Sequence, residues 1–154
     1  MIRQAEKSDL QSLAALFRQL HAHHVRIKPE SFRMPEDQWF SERIGAILDD
    51  GEMTVLVSVG EGGDLNGYAA VRIMTVDSAE RIPRKMCYIE CFAVAEDARR
   101  KGIGTALFGE VKGFARKNGC GSVQLGVTAV NTGAVRFYEK MGLVPRTIQM
   151  EFKF

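Results

Sequence analysis

The feature that most restricts what this chain can fold into is an apolar strand that runs through a basic, glycine-opened turn into a helix. "KMCYIECFAV", residues 85–94, is apolar on both alternating faces, with Glu90 as the one charge inside it. A strand of that kind must be covered on both faces, so it belongs at the centre of a sheet. Ile103, Leu107, Val111 and Phe114 then fall on one helical face, and Gly119 stands at the expected stop. Between strand and helix lie Arg99, Arg100 and Lys101, followed by Gly102-x-Gly104. A helix start offers unpaired backbone N–H groups and the positive end of the helix dipole, and both favour an anion. Glycines let that backbone come close to a phosphate, and Arg and Lys add charge-assisted contacts. The turn therefore reads as a phosphate or pyrophosphate cradle. It is not a P-loop, which needs Gly-Lys-Ser/Thr, and it lacks the third glycine of a dinucleotide fingerprint.

The rest of the chain supplies a sheet and helices around this unit. Ile2 to Ala5 reads as a short strand, and Ser8-x-x-Gln11 as a capping box before Leu10, Leu13, Ala14, Phe17 and Leu20 at helical spacing. Residues 21–34 read as a loop or frayed helix. Pro35 opens a second helix carrying Phe40, Ile44, Ile47 and Leu48, with Gly51 as its stop. "MTVLVSV" and "GYAAVRIMTV" are strands joined by "GEGGDLN", which suits an antiparallel hairpin. A polar stretch, residues 77–85, connects to the central strand. After the basic helix come the strand "SVQLGV" and a last helix capped by Asn131, carrying Ala134, Phe137, Tyr138 and Met141 and closed by Gly142. "RTIQMEFKF" alternates as a final strand. The expected class is α/β with a mixed sheet.

Composition narrows the function. A chain of 154 residues with 45% hydrophobic and 26% charged residues is expected to form a single domain, residues 1–154. No apolar run approaches the ~20 residues of a membrane span, and "MIRQAEKSDL" has no signal core. Cys87, Cys91 and Cys120 match neither a disulfide framework nor a paired metal motif, so a cytoplasmic location and no metal are expected. A formal charge of +2 is too small to argue for nucleic acid, and its distribution is uneven. Between Glu30 and Glu52 seven acids outnumber two arginines, whereas Arg99 to Lys117 holds six bases against Glu110. One region suits cations and the other anions.

The string "IECFAVAEDARRKGIGTALF" resembles the acetyl-CoA-binding motif of the GCN5-related N-acetyltransferases, the GNAT family, with Arg99-x-x-Gly102-x-Gly104 at its centre. "IRQAEKSDLQSL", "LNGYAAV" and "NTGAVRFYEKMGLVP" follow in the family's order, so the resemblance spans nearly the whole chain. It implies a GNAT-type acyl-CoA N-acyltransferase fold: a mostly antiparallel sheet with a splayed parallel strand pair, flanked by about four helices. It also implies that the backbone of Arg100, Lys101, Gly102, Ile103, Gly104 and Thr105 cradles the pyrophosphate, with Arg99 at the leading basic position. Phe92, Ala93 and Val94 would pair with the pantetheine arm as with an added strand, and Asn131 would contact the cofactor beside the last helix. Tyr138 matches the tyrosine near the thioester sulfur. The implied activity is acetyl-CoA-dependent transfer of acetyl directly to a primary amine, without an acyl-enzyme. A homodimer is implied as well, to which "RTIQMEFKF" can contribute an edge strand.

The chemistry assigns tasks to these residues. An alkyl amine with a pKa of ~10.4 is mostly protonated near neutral pH and needs a base. Glu90 is the candidate, because burial in the strand would raise its pKa; the alternative is a structural pair with a base such as Arg72. Tyr138 is the candidate acid for the departing thiolate, the alternative being a packed core aromatic. A free N–H near Phe92 would stabilise the oxyanion. His21, His23 and His24 border an acceptor pocket or are simply exposed. The acidic bias of residues 30–52 favours a small cationic amine such as a polyamine, an amine metabolite or an aminoglycoside-like compound. A protein or peptide amine and a non-catalytic acyl-CoA sensor are the alternatives.

Overall fold

The computed structural model describes residues 1–154. One sheet runs in the order β1 (Ile2–Gln4), β2 (Met53–Val59), β3 (Leu65–Ser78), β4 (Arg81–Val94) and β5 (Ser122–Leu125). Neighbours are antiparallel except β4 and β5, which are parallel. The helices are α1 (Leu10–Ile27), α2 (Asp37–Asp49), α3 (Ile103–Lys117) and α4 (Thr132–Lys140). α1 and α2 cover one face, where Leu13, Leu16, Phe40 and Ile44 pack on Val55, Val57, Tyr68 and Ala70. α3 covers the other, with Phe108, Val111 and Ala115 on Ala69, Val71, Cys87 and Ile89. Successive residues of β3 feed opposite layers, which is why its sequence is apolar without interruption from Tyr68 to Val71. No helix is long and apolar enough to cross a membrane.

Four local expectations are corrected. α1 does not stop at residue 20 but runs to Ile27, because His21 and His24 pack their rings among Phe17, Phe32, Trp39 and Phe40 at the joint with α2. The capping box is Glu6 and Asp9, at a 3-10 turn over Lys7–Asp9 that leads into α1, rather than Ser8 and Gln11. Residues 77–85 are no open connection: Thr75 pairs with Lys85, Val76 with Arg84 and Ser78 with Arg81, extending the β3–β4 hairpin. That extension is solvated, so its ladder needs no apolar pattern and leaves none in the sequence. Finally, "RTIQMEFKF" forms no strand within the chain, since residues 144–154 make no backbone hydrogen bond.

The entry into α1 depends on one charge. Arg3 donates to Asp9 through Nη1 at 2.7 Å and Nη2 at 2.9 Å, and the Glu6 N–H donates to Asp9 Oδ2 at 2.8 Å. Asp9 is buried, and the Arg3 hydrogen bond holds its carboxyl below the ordinary value. A carboxyl with a depressed folded pKa contributes stability that is present above its unfolded value of ~3.9 and lost as pH falls through the folded value. Asp9→Asn should therefore lower Tm by roughly 4 °C or more near neutral pH. Thermal melts across pH should show the difference from wild type shrinking below pH ~4.

Candidate active site

The basic turn is built as an anion nest. Arg100 has φ +62° and Gly102 φ +80°, so the chain passes twice through the left-handed region before α3 begins. Backbone N–H groups alternating in this way converge on one side of the turn. From Arg99 to Thr105 none of them donates to a group in the chain; the first helical bond runs from the Ala106 N–H to the Gly102 carbonyl at 3.0 Å. Arg99, Arg100 and Lys101 are exposed around this run, and Arg99 Nε donates to the Val94 carbonyl at 3.3 Å. The two glycines serve different ends. A Cβ on Gly102 would meet nothing within 4 Å, so its requirement is the positive φ, whereas a Cβ on Gly104 would lie 3.2 Å from the Phe137 ring. Gly104 is what lets α3 and α4 approach.

Above the turn the sheet opens. β4 and β5 pair from Met86–Ser122 to Ile89–Leu125, and no further. Beyond that point Phe92, Ala93 and Val94 are paired to β3 on one side only. At the same place β4 carries an extra residue: Ala70 pairs with Cys91 and Val71 with Ile89, so Glu90 has no partner. This bulge reverses the faces of β4. Cys87 and Ile89 belong to the α3 layer, and after Glu90 it is Phe92 that faces that layer while Cys91 and Ala93 turn to the α1–α2 layer. Glu90 is thus not buried as the sequence suggested. Its side chain is 38% exposed and its Oε1 lies 2.9 Å from Arg72 Nε, which also stands 3.6 Å by Nη2 from Asp50. The contact is an ion pair without an aligned hydrogen bond.

α4 closes the opening from the far side. Tyr138 packs edge-on to Phe92 at 6.1 Å and to Phe137 at 5.2 Å. Burial first, then the nearby Cys91 thiol, pushes its phenol up to about 12. Asn131 caps α4 by accepting from the Ala134 N–H at 3.4 Å, and His23 Nε2 lies 3.3 Å from its Oδ1. The helix that begins the chain and the one that closes the cleft meet through that contact. Tyr68, fully buried on β3, holds a hydroxyl without a hydrogen-bond partner, and burial and Cys91 raise its pKa well above the usual value. His21 does not face this cleft: its Nε2 bonds the Arg33 carbonyl at 2.8 Å and fastens the loop before α2. No group of three or more His, Cys, Asp or Glu residues is arranged to hold a metal ion.

A nest of free N–H groups beneath a splayed parallel pair has counterparts among known proteins. Residues 14–143 match the model of the acetyltransferase (GNAT) family. The chain belongs to that family. Streptothricin acetyltransferase of Streptomyces lavendulae is 37% identical over 108 residues, 70% of this chain and 53% of that one, so the chain spans about half the length of this curated relative. The crystal structure of a tetramutant of the BH1408 protein from Bacillus halodurans is 28% identical, with a TM-score of 0.95 covering 100% of this chain and 99% of that one. The aminoglycoside N-acetyltransferase AAC(6')-Iy, solved in complex with CoA, shares the fold at a TM-score of 0.78, 18% identity and coverage of 100% and 93%.

Of the residues singled out in the sequence, the structure sets Phe92 of the β4 edge against Tyr138 and Gly104 of the turn against Phe137, and Asn131 caps the helix that carries both aromatics. Sequence reasoning missed Tyr68, Asp50 as Arg72's second partner, and the His23–Asn131 contact. A signal for the bulge was present in the run itself, where the apolar phase slips by one residue at Glu90. Gly102→Glu meets open space, so its cost is the strain of a side chain at φ +80° rather than a clash, and the chain should still fold while the variant places a carboxylate in the nest. Calorimetric titration with coenzyme A should then show affinity reduced at least about tenfold. Gly104→Leu should instead lower Tm, because its side chain must displace Phe137.

Proposed function

We propose that this chain is an acetyl-CoA-dependent N-acetyltransferase that passes the acetyl group directly to a primary amine, preferably a small cationic one. The observation that carries the reading is the run of unsatisfied N–H groups from Arg99 to Thr105 at the foot of a cleft whose β4 edge is also unpaired. An extended ligand with a polyanionic end and amide groups along its length satisfies both at once. Arg100 to Thr105 would hold the pyrophosphate by main-chain N–H groups, with the Arg99 and Lys101 side chains around it. Phe92 to Val94 would pair with the amides of the arm, and Asn131 would border it from α4. When bound there, acetyl-CoA supplies an acetyl thioester.

Tyr138 supplies the proton donor. With its phenol pushed up to about 12, it stays protonated throughout the neutral range. Against a thiol of ~8.5 full proton transfer is uphill in water, but the burial that raises the phenol raises a thiolate in the same cleft. Its role is then chiefly a hydrogen bond to the departing sulfur, strengthening as charge develops. Glu90, exposed on the bulge and paired to Arg72, takes the amine proton through water rather than from a dry pocket. A main-chain N–H of the unpaired edge near Phe92 stabilises the oxyanion.

For the acceptor, similarity to an enzyme named for streptothricin supports a small molecule. The acidic segment supports it less than its composition suggested. Asp37 is paired with Arg18, Asp49 with Lys7 and Asp50 with Arg72, leaving Glu30, Glu36, Glu42 and Glu52 without ion partners to attract a cation. The test is acetyl-CoA-dependent release of free thiol against polyamines, aminoglycosides, amino acids and basic peptides, with an amine-free control. Turnover with a small polycation is expected; turnover only with peptides would move the acceptor to protein, and silence with retained acetyl-CoA binding would support a sensor. With the active amine, Tyr138→Phe should lower kcat about 100-fold while leaving the acetyl-CoA Kd within about threefold. Wild-type turnover in that variant would remove Tyr138 from the mechanism.

A further inference from the structure

The C-terminal end of α1 carries two faces with different partners. His21 and His24 enter the aromatic cluster of Phe32, Trp39 and Phe40. Gln19, His23 and Arg26, spaced i, i+4 and i+7, make a separate polar stripe. Each of the three has a partner on a wall of the cleft. The Glu96 N–H donates to Gln19 Oε1 at 3.3 Å, and Glu96 Oε1 lies 3.5 Å from Arg26 Nη2. Glu96 opens the 3-10 turn Glu96–Ala98, which leads from β4 to the basic turn. His23 reaches the other wall, with Nε2 3.3 Å from Asn131 Oδ1. No hydrogen bond or ion pair runs directly from β4 or the basic turn to α4. Aromatic packing of Phe92 joins those walls, and their polar connection passes through α1.

Donor and acceptor chemistry fixes the protons along the stripe. Arg26 Nη2 lies 3.4 Å from His23 Nδ1, and a guanidinium only donates, so Nδ1 must be the acceptor. A bare Nδ1 puts the ring's one proton on Nε2, where it faces the Asn131 oxygen as a donor. That oxygen also accepts from the Ala134 N–H. The two bonds, at 3.3 and 3.4 Å, are both on the long side, so the amide needs the pair to be held. Two donors from different helices thus decide which end of the Asn131 amide is which. Its Nδ2 makes no hydrogen bond within the chain and keeps both protons free to donate.

We propose that His23 is a positioning residue for cofactor binding: its Nε2–H holds the Asn131 oxygen so that the amide Nδ2 donates to a carbonyl of the bound pantetheine arm. Arg26 sets the tautomer that this needs, and Glu96 holds Arg26. This role rests on the reading that acetyl-CoA lies in the cleft with Asn131 at its border. Without His23 the amide keeps one anchor and turns more freely, so binding must first order it. The loss falls on affinity for acetyl-CoA and not on transfer from the bound cofactor, because the partners of His23 are Asn131 and Arg26 rather than Tyr138 or Glu90.

The test reads the ring and the affinity separately, on the 154-residue chain. Long-range proton–nitrogen NMR correlations should show His23 with its proton on Nε2. A proton on Nδ1 would overturn the role, since the ring would then turn a lone pair on the Asn131 oxygen. Calorimetric titration with coenzyme A should find His23→Ala weakened about fivefold and His23→Gln, whose amide donates from near the Nε2 position, within about twofold of wild type. Adding His23→Ala to Asn131→Ala should cost nothing more, because the two residues act as one unit. With the active amine, the KM for acetyl-CoA should rise in His23→Ala by the same factor at unchanged kcat. Wild-type affinity in His23→Ala, or losses that add in the double variant, would overturn the role of His23 and leave the reading of the cleft standing. A wild-type chain that does not bind coenzyme A would sink that reading and the role with it. Should His23→Ala fail to fold, His23→Phe keeps a ring and removes both nitrogens, and the same comparison decides.

Discussion

Past Ile89 and Leu125 the backbones of β4 and β5 part, and the rest of the site depends on that parting. A sheet that stayed paired would have no free N–H or C=O to offer inside the molecule. One that parts must satisfy those groups with something other than itself. The parting has a local cause: the unpaired Glu90 inserts a residue into β4, bends it and reverses its faces just where pairing with β5 ends. Phe92 thereby turns toward α4 and meets Tyr138, while Cys91 turns toward Tyr68 and the α1–α2 layer. A single extra residue thus sets which aromatic meets Tyr138.

The foot of the cleft obeys a second constraint, close approach of two helices. Gly102 supplies the left-handed turn that frees the N–H groups, and Gly104 supplies the room for Phe137. Because Phe137 and Tyr138 are neighbours on α4, the spacing that makes the anion nest also sets the depth at which the phenol sits. The geometry of the turn and the position of the phenol are coupled through packing rather than through any direct contact. The His23–Asn131 contact also ties α1 to the cap of α4.

Much of this was legible from local pattern. The helical and strand periods, the glycines after three bases and the apolar run at 85–94 pointed to the sheet, the helices and the left-handed turn before α3. What escaped was of two kinds. The outer β3–β4 hairpin has a ladder with no apolar face, so nothing in its composition distinguishes it from a loop. Glu90 was read as buried because an apolar neighbourhood in sequence was taken for one in space; the bulge turned it outward to Arg72. The end of α1 was likewise lost to view because aromatic partners of His21 and His24 lie in the following loop, at Phe32, and on α2, at Trp39.

Periodicity and spacing are properties of a few consecutive residues, and they were enough to reveal most of the elements, the glycine-opened basic turn and the family that carries it. Tertiary structure alone decided where β4 and β5 separate, which groups Glu90 and Asn131 touch, and that the alternating arm at 144–154 finds no edge within its own chain. The reason is the same in each case. A strand's pattern states that it needs a partner and which face must be covered, but the partner is chosen by backbone geometry brought together from distant parts of the sequence.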